Sequence, residues 1–66
     1  MYVVQRRNSE NCLWKTCSLR GRKCRYEYIA DARAAYRKLK NMEENIKIKT
    51  MQFRIIDTED NDREVD

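Results

Sequence analysis

The residues of this sequence with the most evident chemistry are three cysteines and a run of bases between the second and the third of them. Cys12, Cys17 and Cys24 are spaced C-x4-C-x6-C, and the chain contains no histidine. Structural zinc sites use four Cys or His ligands in closely spaced pairs, so this spacing does not favour a zinc site. An odd number of cysteines does not favour a disulfide framework either. We therefore expect reduced thiols, partly buried as small apolar side chains, and no metal or other cofactor.

The sequence offers few groups for catalysis. Without histidine it lacks the most common general base and any Cys–His pair. Gly21 is the only glycine, whereas nucleotide-binding loops need several. Cys17 and Cys24 lie near bases that could activate a thiol, but no partner base or orienting group accompanies them, so a thiol enzyme is the weakest interpretation. We expect a protein that is not an enzyme and has no catalytic residues.

Charge is divided unequally along the chain. Residues 1–56 contain 14 Lys and Arg against five acids, a net charge of +9. Residues 57–66 contain six acids against Arg63, a net charge of −5. Val65 is the only apolar residue of this acidic segment, which therefore cannot bury enough surface to order itself. We predict a basic body over residues 1–56 and a disordered acidic tail over residues 57–66.

The first part of the chain predicts a β-hairpin followed by a loop. Residues 2–7 are β-branched and aromatic and then polar, residues 8–11 are turn formers, and residues 12–17 supply a second strand of matching length. Residues 18–25 contain Gly21 and four bases in no regular period. This segment therefore predicts an irregular basic loop.

The orientation of the second predicted strand is ambiguous. Either Cys12, Trp14 and Thr16 face the core, or Leu13 and Cys17 do. We favour Trp14 facing inward, because so small a domain can hardly leave its largest apolar side chain in water.

The middle of the chain predicts a helix that begins near Tyr28. Four apolar residues recur at i, i+3, i+7 and i+10 and form a single stripe. These residues are Ile29, Ala32, Tyr36 and Leu39. Continuing the helix would place Glu43 on this stripe, so we end it near Asn41 or Met42. A loop or bulge follows, and the last strand is expected over about residues 51–56.

The order β-β-α-β predicts an α+β fold in which residues 1–56 form a single ββαβ domain. We expect a three-stranded antiparallel sheet in the order 2-1-3, with the helix packed on one face. The helix-facing side is expected to carry Val4, Trp14, Phe53 and Ile55. The opposite, uncovered side is expected to carry Val3, Gln5, Arg7, Lys15, Gln52 and Arg54.

Basic residues on the predicted loop and on the uncovered face are the candidates for partner binding. The loop is followed by Tyr26 and Tyr28, and bases beside aromatic rings suit phosphate contact with base stacking. The uncovered face suits docking on an acidic protein surface, or dimerisation through the face or a sheet edge. The candidate contact residues are Arg20, Arg22, Lys23 and Arg25 in the loop and Arg7, Lys15 and Arg54 on the face.

Four sequence features together resemble a known class of small proteins. They are the YVV strand at residues 2–4, Trp14 in the second strand, the helix segment ADARAAYRKL at residues 30–39, and FRII at residues 53–56. This pattern, over about residues 2–57, resembles the short accessory proteins of tailed bacteriophages, which have a strand-strand-helix-strand plan. The resemblance implies that the protein is located in a bacterial cytoplasm. It also implies that the protein acts stoichiometrically, by occupying a surface on a host enzyme or defence complex. It implies no site residue.

The leading hypothesis is a small, non-catalytic binding protein, a phage-encoded modulator or inhibitor of a host or host-defence protein. The alternative is a small basic nucleic-acid-binding protein whose acidic tail regulates access. The apolar start at residues 1–4 is too short for a signal peptide or a membrane span, so we expect a cytoplasmic protein with no membrane partner. A homodimer is compatible with so small a core, because association would bury further apolar surface.

Overall fold

An antiparallel β-sheet packed against one helix forms the centre of the structure, a computed structural model that describes residues 1–65. The strands are β1 (Tyr2–Arg7), β2 (Lys15–Thr16), β3 (Ser18–Leu19), β4 (Arg22–Lys23), β5 (Arg25–Tyr26), β6 (Gln52–Asp57) and β7 (Arg63–Val65). The helices are α1 (Ile29–Lys40) and α2 (Glu43–Ile46). The main sheet has the order β2-β1-β6-β7, with β5 also paired to β1, and β3 and β4 form a separate two-stranded sheet.

The predicted α+β class, the antiparallel sheet and the helix are confirmed. The three predicted strands lie in the expected order, because β1 lies between β2 and β6. The prediction of a three-stranded ββαβ sheet is wrong, because β5 and β7 make the main sheet five-stranded and a second sheet accompanies it. Helix α1 has the predicted limits, with Tyr28 as its N-cap and Asn41 as its C-cap.

The second predicted strand is split by an inserted hairpin. Val4 stands opposite both Cys17 and Cys24: the Cys17 N–H donates to the Val4 carbonyl (2.9 Å), and the Val4 N–H donates to the Cys24 carbonyl (3.0 Å). The Cys24 N–H closes the base of the insertion by donating to the Cys17 carbonyl (2.9 Å). Residues 18–23 therefore leave the sheet edge as a hairpin, called here the basic hairpin, and the chain returns to the same edge as β5.

The core lies between the sheet and α1, as the helical stripe predicts. Its buried members are Val4, Cys17, Cys24, Ala32, Ala35, Leu39 and Ile55. Tyr36 and Phe53 pack partly buried against them, with ring centroids 6.2 Å apart in an edge-to-face arrangement. Trp14 is not among these residues, so the predicted inward orientation of Trp14 is wrong.

The acidic segment is ordered where the sequence predicts a disordered tail. Arg63–Val65 forms strand β7 on β6, with Ile55 opposite Val65 and Ile56 opposite Glu64. Val65 packs half-buried against the core cluster. The prediction is therefore wrong for this segment, because main-chain pairing to β6 and burial of one valine order it despite its charge. Asp66 lies outside the described residues.

The connection from α1 to β6 contains a short helix instead of the predicted loop alone. Asn45 in α2 is buried, and its Nδ2 donates to the Leu39 carbonyl at 2.7 Å. This bond satisfies one of the carbonyls left free at the end of α1. No helix within residues 1–65 has the length and apolar character needed to cross a membrane.

Candidate functional site

On β1 and β6, the sheet face turned away from α1, called here the open face, carries two of the seven candidate contact residues, Arg7 and Arg54. Opposite residues in an antiparallel pair lie on the same face, so the registers give rows across the sheet. One row is Thr16, Gln5 and Arg54, and another pairs Arg7 with Gln52. A third row is Arg25, Val3, Ile56 and Glu64. The predicted placement of Val3, Gln5, Arg7, Gln52 and Arg54 on the face turned away from α1 is confirmed, although Val3 is buried there and not uncovered.

Trp14 lies on this open face, between the two arginines that the sequence places there. The Arg7 Cζ is 4.5 Å from the centroid of the Trp14 ring, and the Arg54 Cζ is 4.3 Å from it. Cation–π attraction of this kind contributes about 0.5–1 kcal/mol at exposed sites and about 2 when desolvated. The indole is half-buried beside the guanidinium groups, so the Trp14 ring is partly shielded from water without lying in the core. We call Arg7, Trp14 and Arg54 the Arg–Trp cluster.

Two glutamines fix the direction of the two guanidinium groups. The Arg7 Nε donates to the Gln52 Oε1 at 2.6 Å, and the Arg54 Nε donates to the Gln5 Oε1 at 2.8 Å. Each bond joins residues that are directly opposite on β1 and β6. Both arginines are half-buried, so their side chains are ordered before any partner arrives.

No ion pair within residues 1–65 joins a carboxylate to the Arg–Trp cluster, although Glu64 lines clefts that also contain Arg7, Trp14 and Arg54. The ion pairs in that range join the Met1 amino group to Glu59 and Arg63 to Asp60. Each guanidinium uses its Nε–H for a glutamine, and its Nη groups make no hydrogen bond to the described chain. Four N–H donors per arginine therefore remain for an acceptor outside the protein.

The predicted basic loop is an ordered hairpin with a tight turn. Arg20 and Gly21 both have positive φ, 52° and 77°, as a two-residue type I′ turn requires. A Cβ added to Gly21 would meet no atom within 4 Å, so the tip stands in open space. Arg20, Arg22 and Lys23 are exposed on this hairpin.

Two further candidate residues, Lys15 and Arg25, lie neither in the Arg–Trp cluster nor on the basic hairpin. Lys15 is opposite Arg6, which shares the helix side of β1 with Val4, so its predicted place on the uncovered face is wrong. This error follows from the prediction that Trp14 faces the core. Because neighbouring residues of a strand point to opposite faces, that prediction placed Lys15 on the uncovered face. Arg25 is on β5 opposite Val3, at the other end of the open face.

Sequence reasoning missed four residues that shape these surfaces: Gln5 and Gln52 as partners of the arginines, Trp14 as their stacking platform, and Arg6 beside Lys15. Period-two alternation places Gln5, Arg7, Gln52 and Arg54 on one face, but it does not give the register that pairs them. The opposite orientation of the second strand, with Cys17 inward, would have placed Trp14 beside the arginines.

The two core cysteines are unsuited to nucleophilic chemistry. Cys17 is 2% exposed and Cys24 is fully buried. Burial raises the pKa of the Cys17 thiol to about 11, Cys24 nearby adds to the rise, and the Arg6 guanidinium opposes it. Cys17 is therefore protonated at neutral pH, and the protonated thiol is a poor nucleophile. Residues 1–65 contain no group of three or more Cys, Asp or Glu arranged to hold a metal ion.

Comparison with known proteins returned no matching family model, no matching curated protein and no matching solved structure.

Proposed function

We propose that this chain is a small, non-catalytic binding protein whose open face docks on an acidic surface of a partner protein. The Arg–Trp cluster carries this proposal: two ordered guanidinium groups share one indole and lack a carboxylate partner within residues 1–65. Tryptophan and arginine are the residue types most enriched among the energetic hot spots of protein interfaces.

The chemistry of the cluster suits carboxylates on a protein. Arginine binds a carboxylate through two parallel hydrogen bonds, and the free Nη groups of Arg7 and Arg54 offer that geometry. A nucleobase would need an exposed ring face, whereas the Trp14 ring is already in contact with two guanidinium groups. Glu64 lies on the same face, in the row of Ile56, so this face is not the continuous basic platform that a nucleic-acid strand would require.

The resemblance to phage accessory proteins suggests the class of partner. Under the proposal the partner is a bacterial host protein, such as a defence protein, and the chain modulates or inhibits it by occupying a surface. Dimerisation of the chain through the same face is a competing outcome that solution mass distinguishes.

Affinity capture from bacterial lysate with variant proteins tests this proposal. The wild-type protein is expected to retain one partner in stoichiometric amount, and the Arg7→Gln/Arg54→Gln variant is expected to lose it, with affinity reduced about 30-fold or more. The matched control is Lys38→Gln/Lys47→Gln, which removes two exposed charges on α1 and at the C-cap of α2, outside the cleft beside Trp14, and should retain the partner. No stoichiometric partner, or equal capture by both variants, would refute the proposal.

The basic hairpin favours a second candidate function, nucleic-acid binding. Three cations in four residues stand at an open tip, and a two-stranded ribbon fits the major groove of DNA. The test is duplex and single-stranded oligonucleotide binding at low and moderate salt. Binding that weakens steeply with salt and is lost in Arg20→Gln/Arg22→Gln would support it. No retardation of either oligonucleotide at low salt would exclude it.

A further inference from the structure

A cleft of about 530 Å³ lies on the other side of the sheet from the Arg–Trp cluster, where the basic hairpin faces the α1–α2 corner. Its lining includes the cations Arg6, Lys15 and Lys23 and the apolar residues Leu39, Met42 and Ile48. The volume falls within the range of small-molecule sites, about 300–1,000 Å³. We call it the corner cleft.

Arg6 and Lys15 form a like-charge pair within this cleft. They are directly opposite on β1 and β2, and like charges in that position destabilise a sheet. Neither makes an ion pair within residues 1–65. Glu44 is the one carboxylate of the lining, and it too makes no ion pair in that range. The arrangement therefore loses stability in the free protein and would regain it when an anion binds.

Lys23 brings a third cation to the same cleft from a different element. It is on β4 of the basic hairpin, whose base is fixed to the sheet through Cys17 and Cys24. Ser18 adds a hydroxyl group to the lining. Three cations and one hydroxyl suit a compact anion with several acceptor oxygens.

We propose that the corner cleft binds a small ligand in which a phosphate monoester is attached to an apolar group. The phosphate lies between Arg6, Lys15 and Lys23, and the apolar group contacts Met42 and Ile48. This site shares no residue with the Arg–Trp cluster, so the proposal is independent of the proposed partner surface.

Thermal unfolding with three probes at constant ionic strength tests the site. Inorganic phosphate should raise the Tm, phenyl phosphate should raise it more at equal concentration, and phenol should leave it unchanged. Lys15→Gln removes the repulsion, so its Tm without ligand should exceed that of the wild type by about 1–5 °C. In the same variant phosphate should bind about tenfold more weakly. A merely structural role for Lys15 would not produce these two opposite effects.

Two further variants control for general charge. Lys38→Gln on α1 lies outside the lining and should respond to phosphate as the wild type does. Glu44→Gln removes the only carboxylate of the lining and should strengthen phosphate binding. Amide NMR shifts on adding phenyl phosphate should be concentrated at Arg6, Lys15, Ser18 and Ile48, and this measurement needs no variant.

Three results would overturn the proposal. The first is a phosphate effect that chloride reproduces at equal ionic strength. The second is an equal phosphate response in Lys15→Gln and Lys38→Gln. The third is a set of amide shifts confined to the hairpin tip at Arg20–Arg22, which would assign the phosphate to the hairpin alone.

Discussion

The two faces of the sheet shield their side chains from water in different ways. The helix side buries Val4, Ile55 and Leu39 by close apolar packing beneath α1. The open face buries Val3 and Ile56, but its largest apolar side chain, Trp14, is only half-buried and lies against two guanidinium groups. A core contact is satisfied entirely within the protein, whereas the guanidinium groups retain donors for another molecule. Under our proposal, a half-buried tryptophan beside arginines that lack a carboxylate partner marks a binding surface more than a stabilising one.

The largest loss of stability is expected when a core residue of the helix side is truncated. Leu39→Ala should lower the free energy of unfolding by about 2–5 kcal/mol, because it leaves a cavity under α1. In a domain of this size that loss approaches the whole stability. Urea unfolding followed by circular dichroism measures it. A loss below that of Trp14→Ala would show that the helix side is not the main source of stability.

A dependence of folding stability on alkaline pH is also expected from the helix side. The pKa of Cys17 is about 11 in the folded protein against 9.0 for a free thiol, so the unfolded chain releases this proton first. Stability should therefore be unaffected below pH 9 and fall as the pH rises from 9 to 11, by about 2 kcal/mol at the upper limit. Cys17→Ala should show a shallower fall between pH 9 and 11.

The exposed thiol provides the matched control for this measurement. Cys12→Ala should keep the wild-type dependence of unfolding free energy on pH, because Cys12 is exposed. Tyr26, whose pKa burial raises to about 12, contributes an alkaline fall to all three proteins. Parallel curves for Cys17→Ala and the wild type would show that Cys17 is not shielded in the core.

A smaller effect on stability is expected at the open face. Trp14→Ala removes two cation–π contacts and should cost about 1–2 kcal/mol, while abolishing capture of the partner. Trp14→Phe keeps a ring and should recover part of both. Urea unfolding and affinity capture of the same samples separate the two properties. A loss of stability without any loss of capture would assign the cluster a structural role only.

The smallest loss of stability is expected at β7, the edge strand that the sequence does not predict. Val65→Ala should cost about 1 kcal/mol, because Val65 is only half-buried against the core cluster. Hydrogen exchange of the β6 amides should then quicken next to β7 and stay unchanged next to β1. No change in stability or exchange would show that β7 contributes little to the sheet.

The helix side could be predicted well from the sequence because its signal is periodic and its residues are apolar. The stripe of α1 places Ala32 and Leu39 in the core, and alternation does the same for Val4 and Ile55. Trp14 was misplaced because alternation fixes which residues share a face but not which face is covered. The rule that the largest apolar residue lies inside then selected the wrong orientation.

The other differences between the sequence-based predictions and the structure have causes that the amino-acid composition does not show. The basic hairpin depends on a turn with positive φ at Arg20, a residue type with no preference for that conformation. Strand β7 depends on main-chain pairing to β6, and the Thr58 N–H and hydroxyl also donate to the Met1 carbonyl at 3.0 Å each. The sequence placed Arg7 and Arg54 on one face, but the glutamine bonds that orient them depend on the register of β1 and β6.

The most direct test of the central claim uses Trp14 as a reporter, since it is the only tryptophan in the chain. Protein labelled with 5-fluorotryptophan gives a single fluorine resonance from the open face, which can be recorded alone and with the captured partner. We expect this resonance to shift or broaden at a 1:1 ratio and to recover at high salt. A resonance that stays unchanged while the partner is bound would place the interface elsewhere on the protein and contradict the proposed function.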